Sequence, residues 1–298
     1  MIPMVSVFKN IQKIKDLGIF SENINESKFL SDTKPHFYYS MDNVINKTNT
    51  TKTLDMSNYG HITHPGLVRD HNEDNYLVDE ELGLWVVADG MGGHACGEVA
   101  SQIAVDLIHD KVSNGTTLQE AVAFSHEIVL MAADQRMGLP GMGSTVVAAL
   151  FHPDHCEIAW VGDSRAYLWE QGKLRQVSRD HSYVQQMLDS GSISQSEAIV
   201  HPHRNVITQA IGADDLEHVE VGITRIPTYK DQTILLCSDG LTDEVRDEAI
   251  ASVLSSTHDI KEKTSQLLEL ALAEGGGDNI TILLIATPDN ADLRPDNI

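Results

Sequence analysis

Four aspartates stand at the ends of apolar, strand-like segments. Asp89 closes GLWVVADG, Asp163 closes EIAWVGD, Asp239 closes TILLCSDG, and Asp278 directly precedes NITILLIAT. A single aspartate after a strand usually forms a turn. Four carboxylates gathered in one acidic domain would instead repel one another and take up protons unless a positive group lay among them. Since few basic residues lie nearby in sequence, Mg²⁺ or Mn²⁺, which prefer oxygen ligands, is the economical candidate.

Glycine follows two of these aspartates. Gly90 and Gly240 are expected to adopt backbone angles closed to other residues and to let a carbonyl oxygen or a substrate approach closely. The sequence therefore predicts a backbone carbonyl ligand beside the carboxylates.

The segment GLVRDHNEDN places Arg69 four and five residues before Glu73 and Asp74. Such a charged run is usually a solvated loop. Beside the strand-end aspartates, however, the arginine is a candidate bidentate clamp for two phosphate oxygens. A phosphoryl substrate follows from this interpretation.

The elements that would carry these residues alternate along the chain. Strands are predicted at GLWVVADG, STVVAALF, EIAWVGD, TILLCSDG and NITILLIAT, and AYLWEQGKLRQV is predicted to form a hairpin. Helices are predicted at GEVASQIAVDLIHDKV, SYVQQMLDSG, EKTSQLLELALAEGGG and TLQEAVAFSHEIVLMAADQ, the last with a capping box of Thr117 and Glu120. Comparable numbers of strands and helices, with a hairpin, indicate an α+β domain with helices layered on sheets.

Composition limits the class of protein. The 298 residues include 44 acidic and 21 basic ones, a net charge of −23, which opposes binding to nucleic acid or an anionic membrane. Residues 1–57 are interpreted as a leader and linker, partly disordered or docking to a partner, and 289–298 as a tail. Three scattered cysteines and the absence of a long apolar run predict a cytoplasmic protein without a membrane span.

Eight ordered motifs between residues 58 and 288 resemble a known family, the bacterial branch of the metal-dependent protein serine/threonine phosphatases (PP2C or PPM). The motifs are GLVRDHNED, VADGMGGH, GSTVVAAL, VGDSRAYL, SRDHSYVQQML, HPHRNVITQAIG, LLCSDGLTDEV and GGGDNITILLI. The resemblance implies a four-layer α-β-β-α sandwich of two antiparallel sheets flanked by helices. It also implies hydrolysis of phosphoserine and phosphothreonine in proteins by a metal-activated water.

Particular residues match the family's metal centre. Two Mn²⁺ or Mg²⁺ ions per site are implied, with a weaker third ion in bacterial members. The matching positions are Asp89 as the bridge between two ions, Gly90 as a carbonyl ligand, Asp239 and Asp278 on one ion, Glu73 and Asp74 as an acidic pair acting directly or through water, and Asp163 and Asp243 at the third ion. Arg69 matches the phosphate-binding arginine.

The sequence does not identify the general acid that would protonate the leaving group. Animal relatives have a histidine after the DG pair, whereas this chain has Met91, and His94 follows three residues later. The leaving alkoxide would take its proton from a metal-bound water or from a side chain such as His94.

The expected partners are phosphorylated proteins and a bacterial-type serine/threonine kinase whose action the enzyme reverses, and the expected oligomeric state is a monomer. One alternative is a catalytically weak sensor or binding module with the same fold, which the presence of Arg69, Asp89, Asp239 and Asp278 disfavours. Another is a two-metal nuclease, which the negative charge disfavours.

Overall fold

Two antiparallel sheets form the centre of the computed structural model, which describes residues 54–92, 96–134 and 141–288. The first sheet has five strands in the order β1-β11-β10-β7-β8. Its strands are β1 (Tyr59–His64), β7 (Arg165–Glu170), β8 (Lys173–Gln176), β10 (Thr233–Cys237) and β11 (Ile280–Ala286).

The second sheet has six strands, five of them in the order β2-β3-β5-β6-β9, and a two-residue strand, β4, pairs with β3. Its strands are β2 (Asp74–Asp79), β3 (Leu84–Met91), β4 (Gly143–Ser144), β5 (Val146–Phe151), β6 (His155–Val161) and β9 (Gly222–Pro227).

The main core fills the space between the sheets. Alternate residues of each strand point inward, among them Trp85 and Val87 from β3 and Leu236 from β10. The opposite faces of these strands are buried as well: Leu235 and Leu284 belong to a second core with the helices that cover the five-stranded sheet. Burial on both faces explains why these strands are continuous apolar runs in the sequence.

Helices cover the outer face of each sheet. Helices α1 (Cys96–Ser113) and α2 (Leu118–Asp134) contact the six-stranded sheet, and α7 (Ile260–Glu274) contacts β1 and β11. The remaining described helices are α3 (Tyr183–Asp189), α4 (Gln195–Ile199), α5 (Asp239–Thr242) and α6 (Asp247–Ser255). The predicted α-β-β-α sandwich is confirmed.

Local predictions are confirmed at two places. Strands β7 and β8 form the expected hairpin, with Tyr167 opposite Gln176. The Thr117 hydroxyl oxygen accepts from the Glu120 backbone N–H at 3.3 Å, and Glu120 Oε2 accepts from the Thr117 backbone N–H at 3.3 Å, which are the two halves of a capping box.

The ends of the chain are only partly described. Residues 1–53 and 289–298 lie outside the described ranges, so the leader and the tail remain predictions. Met56, within the predicted leader, is described and lies in the core between the sheets. Within the described ranges, no helix combines the length and the apolar composition needed to cross a membrane.

Candidate metal centre

Asp74 and Asp89 face each other across β2 and β3. Their Cα atoms are register partners in this antiparallel pair, so both side chains leave the same face of the sheet. Asp74 is only 6% exposed, and its Oδ2 accepts a 2.8 Å hydrogen bond from the Ser238 hydroxyl. Its Oδ1 is buried without a hydrogen-bond partner among the described residues. Strand pairing therefore forces two carboxylates together and leaves one buried oxygen available to a further ligand.

The five-stranded sheet brings two more aspartates to this place. Asp239 begins α5 directly after β10, and Asp278 lies just before β11, the antiparallel neighbour of β10. The Asp239 carboxyl group lies close enough to Asp89 for its charge to raise the pKa of Asp89. Asp239 Oδ1, like Asp74 Oδ1, has no partner within the described part of the chain. The two sheets thus contribute carboxylates to one cluster.

The carboxyl groups of this cluster are shifted toward their protonated forms. Burial, followed by the charges of Asp74, Asp239 and Asp163, raises the pKa of Asp89 well above its usual value. The pKa of Asp239 is also raised, first by burial and then by the charge of Asp163. Burial raises the pKa of Asp74 to about 6. At neutral pH such a cluster favours a compensating cation.

The donor set fits hard divalent cations. The cluster offers carboxylate oxygens and nearby backbone carbonyls, which are the ligands that Mg²⁺ and Mn²⁺ prefer. The two partnerless buried oxygens, Asp74 Oδ1 and Asp239 Oδ1, are the sites where a cation would replace a missing donor.

Asp163 and Asp243 adjoin this cluster. Asp163 follows β6, and its pKa rises to about 7 through burial and then through the charges of Asp180 and Asp243. Asp243 caps α5, is exposed, and accepts a 2.7 Å hydrogen bond from the Asn205 side-chain amide. The structure therefore brings together the two aspartates assigned by resemblance to a third ion.

Arg69 lies on the loop between β1 and β2. Its Nη2 donates to Asp278 Oδ2 at 2.7 Å, while 54% of its side chain stays exposed. The hydrogen bond and the charge of Asp278, with the more distant charges of Asp89 and Glu73, raise the pKa of Arg69. The guanidinium is thus held at the mouth of the carboxylate cluster and keeps a solvent-facing side.

Asn279, which was not predicted as a site residue from the sequence, fixes this loop. Its Oδ1 accepts from the Glu73 backbone N–H at 2.7 Å, and its Nδ2 donates to the carbonyls of Pro65 and His71 at 2.9 and 2.8 Å. A buried amide next to Asp278 therefore positions the segment that carries Arg69 and Glu73. The DN pair in GGGDN was the available signal.

A buried ion pair next to Asp163 was also not predicted from the sequence. Arg165 binds Asp180 through Nε and Nη2, the latter at 2.7 Å from Oδ2, and the Gln176 amide donates to the same carboxylate at 2.6 Å. Asp180 is buried. Its charge next to Asp163 explains part of the pKa shift there.

The two glycines have a different role from the one predicted. Neither Gly90 nor Gly240 has a positive φ. A Cβ at Gly90 would lie 2.1 Å from the Gly97 carbonyl oxygen, and one at Gly240 would lie 2.1 Å from the Asn279 carbonyl oxygen. The expected special backbone angles were therefore wrong, because glycine is needed for close packing of neighbouring backbone segments.

The backbone of Asp89 is held by the last residue of β4, Ser144, and by Thr145, which precedes β5. The Thr145 N–H donates to the Asp89 carbonyl at 2.8 Å, and the Ser144 hydroxyl donates to the same oxygen at 3.1 Å. The Asp89 N–H in turn donates to Thr145 Oγ1 at 3.2 Å. Ser144 thus fixes the strand end that carries Asp89. The candidate acid His94 lies outside the described residues.

Known proteins are similar to this chain in sequence and in fold. The family model for protein phosphatase 2C matches residues 68–274. The serine/threonine phosphatase stp of Listeria innocua is 39% identical over 236 residues, which cover 75% of this chain and 93% of that relative. Serine/threonine protein phosphatase PstP of Mycobacterium tuberculosis is 38% identical over 230 residues, covering 75% of this chain and 44% of PstP.

Solved phosphatase structures have a fold similar to that of this chain. The crystal structure of the M. tuberculosis serine/threonine phosphatase PstP/Ppp matches with a TM-score of 0.71 and 36% identity, covering 77% of this chain and 98% of the other. The PstP catalytic domain in complex with two manganese ions matches with a TM-score of 0.68 and 34% identity, covering 78% and 98% respectively.

Proposed function

The chain belongs to the protein phosphatase 2C family, and from that premise we propose that its carboxylate cluster uses divalent cations to hydrolyse phosphoserine and phosphothreonine in proteins. The observation that carries this proposal is the convergence of Asp74, Asp89, Asp239 and Asp278 from two sheets around buried oxygens that lack partners. The two manganese ions of the PstP catalytic domain support two ions here as well.

Each carboxylate of the cluster is assigned a role as a metal ligand. From the family resemblance, Asp89 would be the carboxylate that holds both ions, and it has Asp74 opposite it in the same sheet and Asp239 near it from the other. Asp239 and Asp278 are assigned to one ion. Glu73 and Asp74 are assigned to the same centre, either directly or through water, and the Gly90 carbonyl completes the set.

Asp163 and Asp243 are proposed to hold a third, weaker ion. Asp243 is exposed and already accepts from the Asn205 amide. An ion at this pair would therefore compete with an existing hydrogen bond, which is consistent with lower affinity.

The chemistry requires no protein nucleophile. When bound, the cations supply hydroxide near neutral pH and offset the negative charge of the phosphate. Arg69 turns its exposed side toward the substrate and binds two phosphate oxygens, as a guanidinium fork does. The P–O bond to serine or threonine breaks as the bond from water oxygen to phosphorus forms, and the leaving alkoxide takes a proton. His94 is the side-chain candidate for that proton.

The proposed partners follow from this reaction. Phosphorylated proteins are the substrates, and a bacterial-type serine/threonine kinase is the activity that supplies them. The acidic chain, with a net charge of −23, is poorly suited to a polyanionic nucleic acid. We further propose a cytoplasmic monomer, the compartment following from the three scattered cysteines.

The test is phosphate release from a phosphothreonine peptide in EDTA, Mg²⁺ or Mn²⁺. Wild type is compared with Asp239→Asn and with the control Asp214→Asn, which removes a carboxylate from an exposed position. We expect metal-dependent release by wild type and the control, and a loss of at least 100-fold in Asp239→Asn, on the order of a lost transition-state charge stabiliser. Metal binding by a wild type without turnover would favour the binding-module alternative. Full activity of Asp239→Asn would contradict the assignment of the centre.

A further inference from the structure

Two histidines and a glutamate converge at the turn between β5 and β6. One nitrogen of His152, one nitrogen of His155 and one carboxylate oxygen of Glu157 all lie within 4.8 Å of one another. The two imidazole rings are stacked, with centroids 4.5 Å apart. Residues of this kind at this spacing are potential ligands of one cation.

This cluster lies far from the carboxylates described above. Strand β5 runs from Val146, next to the Asp89 backbone, to Phe151, next to the turn. Six residues of extended chain span about 20 Å. The histidine cluster therefore lies at the opposite end of the β5–β6 hairpin and cannot share ions with the carboxylate centre.

The outer face of β6 presents these ligands. Cys156 and Ile158 point into the core between the sheets, so His155 and Glu157 point to the side that the helices cover. Glu157 is unusual there because its side chain is only 7% exposed. A carboxylate is seldom buried to this extent without a compensating charge.

Arg225 offsets the negative charge of the Glu157 carboxylate only in part. Its Nε donates to Glu157 Oε2 at 2.8 Å, but 71% of the arginine side chain is exposed, so water screens its charge. The hydrogen bond occupies Oε2, which leaves Oε1 as the oxygen for a metal. With Asp154 of the turn counted, two carboxylates and the guanidinium of Arg225 on β9 surround the histidines, a local charge that favours a cation.

A neighbouring carboxylate orients one of the two histidines. Asp154 Oδ1 lies 2.7 Å from His155 Nδ1 and accepts its proton in a hydrogen bond, so that Nε2 is the ligand nitrogen. A carboxylate behind a ligating histidine is the usual support of a protein metal site. Burial lowers the pKa of His152, and a lower pKa favours the neutral imidazole that binds metals.

We propose that His152, His155 and Glu157 form a second metal site, selective for a borderline cation such as Zn²⁺. Two imidazoles and one carboxylate are a ligand set suited to Zn²⁺, with water in the fourth position, whereas Mg²⁺ prefers oxygen ligands alone. The site ties the β5–β6 turn to the outer face of the sheet, independently of the phosphatase reaction.

Equilibrium dialysis against Zn²⁺ in saturating Mg²⁺ tests this site. Bound Zn²⁺ per chain is counted for wild type, for the double variant His152→Gln with His155→Gln, and for the control His258→Gln. His258 pairs with Glu262 at 3.0 Å and lies outside the histidine cluster. We expect wild type and the control to bind one equivalent more than the double variant. Equal stoichiometry in all three proteins would overturn the proposal. Mn²⁺-dependent phosphate release should be unchanged in every protein.

A milder variant tests the same site without altering a ligand. Asp154 is 69% exposed, so Asp154→Asn leaves folding intact while it removes the charge that orients His155. Loss of such a supporting carboxylate should weaken Zn²⁺ affinity by about 10- to 100-fold. If the double variant does not fold, this variant decides the question, and wild-type affinity in Asp154→Asn would refute the site.

Discussion

Replacing Asp74 with asparagine should stabilise the metal-free protein while it impairs the enzyme. Asp74 is buried opposite Asp89, and burial raises its pKa from 3.8 to about 6. Between these two pH values the folded chain keeps a proton that the unfolded chain has lost, so the free energy of unfolding falls as pH rises through this window. The stability conferred by protonation is complete below pH 3.8 and lost above about pH 6.

The size of the effect follows from this pKa difference. About two pH units correspond to about 3 kcal/mol in the free energy of unfolding. Asparagine resembles the protonated acid and carries no charge, so metal-free Asp74→Asn should exceed wild type by up to about 3 kcal/mol near pH 7.5. For a domain of this size the gain corresponds to an increase in Tm of about 6 to 12 °C. Near pH 4 the two proteins should be almost equally stable.

Urea unfolding followed by tryptophan fluorescence measures this difference, because Trp85 is fully buried between the sheets. The titrations are run with EDTA at both pH values and repeated with Mn²⁺, which should remove the advantage of the variant by compensating the Asp74 charge. Phosphate release by Asp74→Asn with Mn²⁺ should be reduced. A metal-free variant no more stable than wild type near pH 7.5 would refute the account of a strained carboxylate cluster.

Three further substitutions test phosphate binding by Arg69, the close packing at Gly90 and the hydrogen bonds that Asn279 makes to the loop of residues 65–73. Arg69→Lys should lower kcat/KM for a phosphothreonine peptide by about 10- to 100-fold, because one charged hydrogen bond is lost, with Mn²⁺ stoichiometry unchanged. Gly90→Ala should lower the free energy of unfolding by about 3 kcal/mol in urea titrations, since its Cβ would lie 2.1 Å from the Gly97 oxygen. Asn279→Ala should cost about 2 to 3 kcal/mol by the same measurement and also lower kcat/KM, because it frees the loop of residues 65–73.

Each of these three predictions can be contradicted by a specific result. Unchanged kcat/KM in Arg69→Lys would remove the arginine from phosphate binding. Gly172→Ala is the control for Gly90→Ala: a Cβ there meets nothing within 4 Å, so only its φ of +76° matters, at about 1 to 2 kcal/mol. An equal cost at both glycines would refute the packing argument. Asn279→Ala with wild-type turnover would show that the loop needs no anchor.

The strands buried on both faces could be predicted from sequence, and the edge strands could not. β3, β5, β6, β10 and β11 are continuous apolar runs inside the two sheets. β1, β2 and β9 were missed because each lies at an edge of its sheet, where part of its surface is exposed and polar residues replace apolar ones. β8 is also an edge strand, but the turn residues of its hairpin revealed it.

In the candidate site, too, residues with a local sequence pattern could be predicted, and residues defined by contacts distant in sequence could not. Asp89 and Asp239 could be selected from the sequence because each ends an apolar run. Asn279 follows Asp278 in the DN pair, but its anchoring role could not be predicted from that pair, since its partners are the backbone of residues more than 200 positions away. Likewise, the histidine cluster at the β5–β6 turn has no familiar ligand spacing, and its third member, Glu157, is buried only because of the sheet.

The central claim is that the aspartates at the ends of the strands bind the ions on which phosphatase activity depends. Bound Mn²⁺ and phosphate release should therefore be measured in the same samples as Mn²⁺ is titrated into metal-free wild type and Asp89→Asn. We predict that activity in wild type rises with occupancy of two ions per chain, and that Asp89→Asn binds fewer ions and loses turnover, because one carboxylate serves both. Full activity without bound Mn²⁺, or in Asp89→Asn, would contradict the account.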